Sequence, residues 1–376
     1  MLNSIKSKIV LKNIIRYIEK NVYLRIVKTN RNLQNKLDIS LDTYEEYYNQ
    51  IEVELIPKKS DLSSENQFIN PDYQNKAFFN SSIDEVKKCN FSDNENVSKI
   101  RVLLNIKYLT SLSDLFLNCK KIEYIKFIHC ANGKITEINY MFFNCESLIN
   151  IDMTRLKIDN VTSMNFLFTQ CKSLKSFIFP KNNMNNLAEM EYMFQGCSSI
   201  EKIDLTNCKT DKVVTMKSLF NNCSSLKELK ISNLKTDNVE NMEFMFYKCS
   251  LLTDLDLSNF NTQNVMKMSG MFCDCVSLQR LNVSSFNTKK VMSMINMFSR
   301  CLSLTELNVT NFDTSSLVSM NRMFYECLML DDLDISEFNL EKVQEMEGAF
   351  NKCKDELIKK VKNQNNLKKK CILKNY

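Results

Sequence analysis

A cysteine returns every 26 residues through most of this chain: Cys119, Cys145, Cys171, Cys197, Cys223, Cys249, Cys275, Cys301, Cys327 and Cys353. Phe stands three residues before each of them, as in Phe272 before Cys275, Phe298 before Cys301 and Phe324 before Cys327. Seven residues before, eight of the ten units carry Met, from Met164 to Met346. Six residues after stands a large apolar residue, as in Leu255, Leu281, Leu307 and Leu333. Eleven residues after, the last four complete units carry Phe260, Phe286, Phe312 and Phe338. A register held across 234 residues is not coincidence. A period of this length means a stacked array, in which each unit buries its apolar face only against its neighbours.

Each unit divides into two halves. In "DLDLS" (254–258) apolar and polar residues alternate, as in a short strand with Leu255 and Leu257 facing inward. In "VMKMSGMFCDC" (265–275), Val265, Met268, Met271, Phe272 and Cys275 fall within an arc of about 120° at helical spacing. That pattern predicts a short helix, with Thr262 or Asn264 as its N-cap. The expected coil is therefore strand, polar corner, short helix and turn. With only four Gly and three Pro in the chain, its turns must rely on Asn, Asp, Ser and Thr side chains.

The cysteine column shares its stripe with Phe and Met, which makes it an interior ladder: Phe272, Cys275, Phe298, Cys301, Phe324 and Cys327. A small, polarisable thiol suits the place where two layers close on each other. Disulfides between coils would need a Cβ spacing of about 3.8 Å, shorter than one coil rise. Zinc sites gather ligands at short local spacings, and 26 is not one of them. No metal or cofactor is expected.

The unit "LDLSNFNTQNVMKMSGMFCDCVSL" (255–278), with "LNVSSFNTKKVMSMINMFSRCLSL" (281–304) and "LNVTNFDTSSLVSMNRMFYECLML" (307–330), resembles the BspA-like leucine-rich repeats. These were once catalogued as a domain of unknown function in mycoplasmal surface proteins. The resemblance covers about residues 100–353. It implies a right-handed leucine-rich-repeat solenoid, an α/β repeat fold of about ten coils, that binds proteins and often serves as a surface adhesin. Two features depart from the pattern. Pro180 and Asn182 stand where one unit should carry Phe, so an irregular corner is expected there, and the N-terminus does not read as an export signal.

Residues 1–40 form a separate basic, helical block with a net charge of +7. Within it, "LKNIIRYIEKNVYLRIVKTNRNLQNKL" (11–37) resembles an F-box, without its Leu-Pro entry and its Trp. That resemblance implies docking to a ubiquitin-ligase scaffold. Read from its residues alone, the block is a helical segment packing on the array. Residues 41–98 read as a linker or lid with one edge strand, "YNQIEVELIP" (48–57), and 99–353 as the solenoid. Residues 354–376 read as a basic helical cap and tail with a net charge of +6.

Chemistry-bearing motifs are scarce. His129 is the single histidine, and its neighbour Cys130 points to the opposite face of a strand. No nucleotide-binding glycine loop or nucleophile elbow occurs. The expected function is non-catalytic protein binding on a concave sheet. Its outward positions carry Asp254, Asp256, Arg280, Asn282, Glu306, Asn308, Asp332 and Asp334. Such a face favours a basic or amide-rich partner over nucleic acid, which needs Lys and Arg on the docking surface. With no apolar run long enough to span a bilayer and an odd cysteine count of 15, a reducing cytoplasm is the expected compartment. A cell-surface adhesin is the alternative, in which "NVS" (282–284) and "NVT" (308–310) become glycosylation acceptors.

Overall fold

The computed structural model describes residues 7, 27, 30–59, 65–73, 75–92, 95–130, 133–180 and 184–364. Most of the F-box-like stretch, residue 182 and the tail after 364 lie outside them. Before the first strand lie the short helices α1 (Arg31–Leu37) and α2 (Leu41–Tyr48), capped by Asn30 and Ser40. The chain then enters β1 (Gln50–Pro57), β2 (Glu65–Gln67), β3 (Asn75–Phe79), β4 (Asn90–Ser92) and β5 (Ile100–Asn105).

The stretch 48–57, expected at a sheet edge, is interior. β1 pairs antiparallel with β5 on one side and with β6 (Ile122–Cys130) on the other. Alternation sets only the buried face, on which Ile51, Val53 and Leu55 are wholly buried; the interior position comes from β5 and β6 pairing on both flanks. The described residues of 58–98 are likewise packed on the array rather than held loosely as a linker or lid. Phe68, Ile69, Ala77 and Phe91 join the main core, and Tyr73 donates its hydroxyl proton to the Ser113 carbonyl at 2.5 Å. This antiparallel group closes the first end of the array.

From β6 onward the pairing is parallel and the fold is a leucine-rich-repeat type solenoid. β7 (Asn150–Asp152) and β8 (Ser176–Ile178) continue the first sheet. β9 (Lys202–Asp204) pairs with β10 (Glu228–Lys230), and β11 (Asp254–Asp256) with β12 (Arg280–Asn282). Partners are one repeat apart, as Leu255 opposite Leu281 shows. A second ladder of single bridges runs from Ser111 through Glu137, Ser163 and their equivalents to Glu345.

The expected short helix is absent from the described coils, and a chain of turns takes its place. In the unit ending at Cys275, the amides of Met271, Cys273 and Cys275 donate three residues back, to Met268, Gly270 and Phe272. The alternate amides of Gly270, Phe272 and Asp274 donate instead to Ile295, Met297 and Ser299 in the next coil, at 2.8 to 2.9 Å. Positive φ recurs five residues and one residue before each cysteine, at Gly270 and Asp274 here and at Asn296 and Arg300 in the next unit. A helix tolerates neither feature, because it keeps φ negative and spends its amides internally. Stacked turns present inward positions at the same spacing, so the apolar pattern by itself could not separate the two.

Three interior columns tie the coils together. The Phe rings stack at centroid distances of 5.3 to 6.0 Å from Phe116 to Phe350. Each thiol from Cys145 to Cys353 donates to the carbonyl of the Phe 29 residues earlier, at 3.0 to 3.2 Å. The third column is Thr210, Thr236, Thr262, Thr288 and Thr314, all buried. Thr262 is no helix cap. Its hydroxyl donates to the Asn287 carbonyl at 2.9 Å and accepts from the Asn287 amide at 2.8 Å. Asn264 also reaches another coil, donating to the Asp237 carbonyl at 2.7 Å.

The far end is closed by α3 (Asp355–Gln364), which buries Leu357 and Val361 against the last coil. Lys354 pairs with Asp331 and Lys360 with Asp332, while the Gln364 Oε1 accepts from the Ile335 amide at 3.2 Å. Among the described residues, no helix is long and apolar enough to cross a membrane.

Candidate protein-interaction face

Strand alternation buries Leu255, Leu281, Leu307 and Leu333 and turns their neighbours outward. Asp254, Asp256, Arg280, Asn282, Glu306, Asn308, Asp332 and Asp334 are all exposed on this outward face. They stand in two columns, one unit apart along the array, with a column of Ser and Thr beside them: Ser258, Ser284, Thr310 and Ser336. Two shallow hollows mark the surface. Asp254, Asp256, Arg280, Leu281, Glu306 and Asn308 line one, and Leu307, Val309, Asp332 and Leu333 floor or flank the other. Strand pairing is interrupted between β10 and β11 and again beyond β12, where only the Glu306–Asp332 bridge resumes it.

Much of this face is already engaged with itself. Arg280 donates from Nε to Asp254 at 2.7 Å, and Lys202 pairs with Glu228 at 2.8 Å. The second column forms a run of turns, each Asp or Asn accepting from the amide two residues on. Asp256 accepts from Ser258 at 2.9 Å, Asn282 from Ser284 at 3.1 Å, Asn308 from Thr310 at 3.1 Å and Asp334 from Ser336 at 2.9 Å. The Ser258 amide and hydroxyl hold the Asp256 carboxyl below its ordinary range, and those of Ser336 do the same for Asp334. Sequence reasoning missed this role, although the signal was present as Asp/Asn-x-Ser/Thr at 256–258, 282–284, 308–310 and 334–336. Glu306 is exposed and forms no ion pair among the described residues.

The other chemistry-bearing groups are committed to structure. His129 stacks on Tyr47 with centroids 4.0 Å apart. Its Nε2–H donates to the Tyr47 carbonyl at 3.0 Å, which leaves Nδ1 to accept from the Tyr47 hydroxyl at 3.0 Å. Burial pushes the column thiols up, Cys145 to about 12 and Cys353 to about 11, so they carry little thiolate at neutral pH. Among the described residues, no group of three or more His, Cys, Asp or Glu is placed to hold a metal ion.

A family model described as "Mycoplasma protein of unknown function, DUF285" matches residues 85–203, 110–227, 188–281 and 253–364. No curated protein matches. Among solved structures, a leucine rich cell surface protein from Faecalibacterium prausnitzii is similar at 13% identity and a TM-score of 0.30, over 63% of this chain and 84% of that one.

Proposed function

This chain belongs to the family described as Mycoplasma protein of unknown function, DUF285, and from that premise we propose that it is a non-catalytic scaffold. It binds another protein on the outward strand face of the solenoid. The supporting observation is a rigid, repeated frame that holds exposed, chemically distinct side chains in columns, at Asp254, Asp256, Arg280, Asn282, Glu306, Asn308, Asp332 and Asp334. Five of these eight are acids and one is a base, so a partner with basic or amide-rich groups fits best. Self-paired turns on the face lower the ordering cost of docking, because the side chains are already fixed before a partner arrives. A thiol-reducing cytoplasm suits fourteen described cysteines present as free thiols.

Crosslinking tests the assignment of the face. A photoreactive amino acid at Asn308 of the full chain is expected to trap a protein from native lysate. The same group at Lys248, on the turn side, is expected to trap none. Equal trapping at both positions, or trapping at Lys248 alone, overturns the reading.

A further inference from the structure

Beside the acidic strand face runs a row whose composition breaks the pattern of the array. The residue after each column cysteine opens an exposed or half-exposed turn, and in seven of ten units it is Lys, Glu or Ser. In three successive units it is aliphatic: Val276, Leu302 and Leu328. The row is set by stacked turns, closed by the Leu278, Leu304 and Leu330 amides donating to Cys275, Cys301 and Cys327. Ser303 links neighbouring turns, its hydroxyl donating to the Val276 carbonyl at 2.8 Å. Leu328 and the adjoining Met329 are 46% and 47% exposed. Val276 and Leu302 are half-exposed, so the row opens to solvent most fully at its Leu328–Met329 end, and exposed apolar surface rimmed by charge marks an interaction site.

The row runs beside the acidic part of the strand face. Four residues beyond Val276, Leu302 and Leu328 stand Arg280, Glu306 and Asp332 on the same three coils. We propose that the row and the acidic column are two halves of one docking surface, which takes a basic amphipathic segment of a partner protein. Aliphatic side chains of that segment cover Leu302, Leu328 and Met329, while its Lys or Arg side chains meet Glu306, Asp256 and Asp334. The inference rests on the strand-face reading above and specifies its partner. A second copy of this chain meeting the surface with its own strand face would set acid against acid, which disfavours that occupant.

The test uses the full chain and two peptides of about 18 residues, long enough to form a helix on the surface. One is a Leu/Lys peptide with leucines at helical spacing, and the other is a scramble of identical composition. Anisotropy titration at physiological salt is expected to show the amphipathic peptide binding about tenfold tighter than the scramble. Leu328→Ser with Met329→Ser should erase that preference while leaving scramble binding unchanged. Glu306→Lys should weaken both peptides. Equal binding of the two peptides by the natural chain, a preference that survives the double substitution, or no binding of either peptide overturns the proposal. The scaffold reading is decided separately by crosslinking at Asn308, so the two can fail independently.

Discussion

At the residue scale, the thiol and threonine columns make hydrogen bonds between coils as well as filling space. The column thiol sits where a carbonyl already accepting one turn hydrogen bond has a lone pair to spare, and the S–H supplies the second donor across coils. Burial also gives the thiols a pH signature. A thiol held above its ordinary value of 9.0, as Cys145 is at about 12, stays protonated in the folded chain where the unfolded chain ionises. That contribution is complete below pH 9 and falls away as pH rises through 12, so alkaline denaturation is expected to begin near pH 9. Chemical denaturation from pH 7 to 11 measures it, and a flat stability profile contradicts it. At pH 8, among the described cysteines, a thiol reagent should label the half-buried Cys89 before the column, which reacts only after unfolding. Phe272 is wholly buried between Phe246 and Phe298, and Phe272→Ala should destabilise by about 3–5 kcal/mol in urea unfolding.

The repeating element is the strand plus its chain of turns, and left-handed residues make those turns possible. Most units place Asn, Asp or a larger residue at these positions, and at Gly196 and Gly270 a side chain of the preceding coil leaves no room for a Cβ. Gly270 has φ +63°, and a Cβ built on it would lie 2.4 Å from Cε1 of the Phe244 ring one coil back. Gly270→Ala is therefore expected to destabilise by about 1–3 kcal/mol, from the backbone and the contact together. Combined with Phe244→Ala, the penalty should fall below the sum of the single changes, as a double-mutant cycle in urea would read. Strict additivity would mean the ring is not the obstacle. The strand half of this element was readable from alternation alone. The turn half was not, since Val265, Met268, Met271, Phe272 and Cys275 have the spacing of a helical stripe and face inward from turns just as well.

For the whole molecule, stability follows neighbour-to-neighbour contact, and both described ends are closed. Antiparallel β1 and β5 seal the first coil, and α3 seals the last through Leu357 and Val361. Leu357→Ala should cost about 2–4 kcal/mol of local stability. Hydrogen exchange should quicken in the final coil around Phe324 to Cys353 and stay unchanged near Cys171, as expected of a one-dimensional array. Uniform acceleration along the chain would show a cooperativity longer than one interface. The outward face also belongs to this scale. Alternation identifies which residues point out, but the pairing of Arg280 with Asp254 and of Lys360 with Asp332 depends on which coil or cap lies alongside.

The 26-residue period, with its fixed Phe, Met and Cys columns, determined on its own that this chain stacks coils into a solenoid. Any other arrangement leaves the recurring apolar stripe without a matching neighbour. Tertiary structure alone decided how the second half of each coil runs, because its amides are shared between coils and that sharing has no signature in a single repeat. It also decided that residues 50–57 form an interior strand. Both depend on partners far away in sequence or on backbone geometry that apolar spacing does not encode.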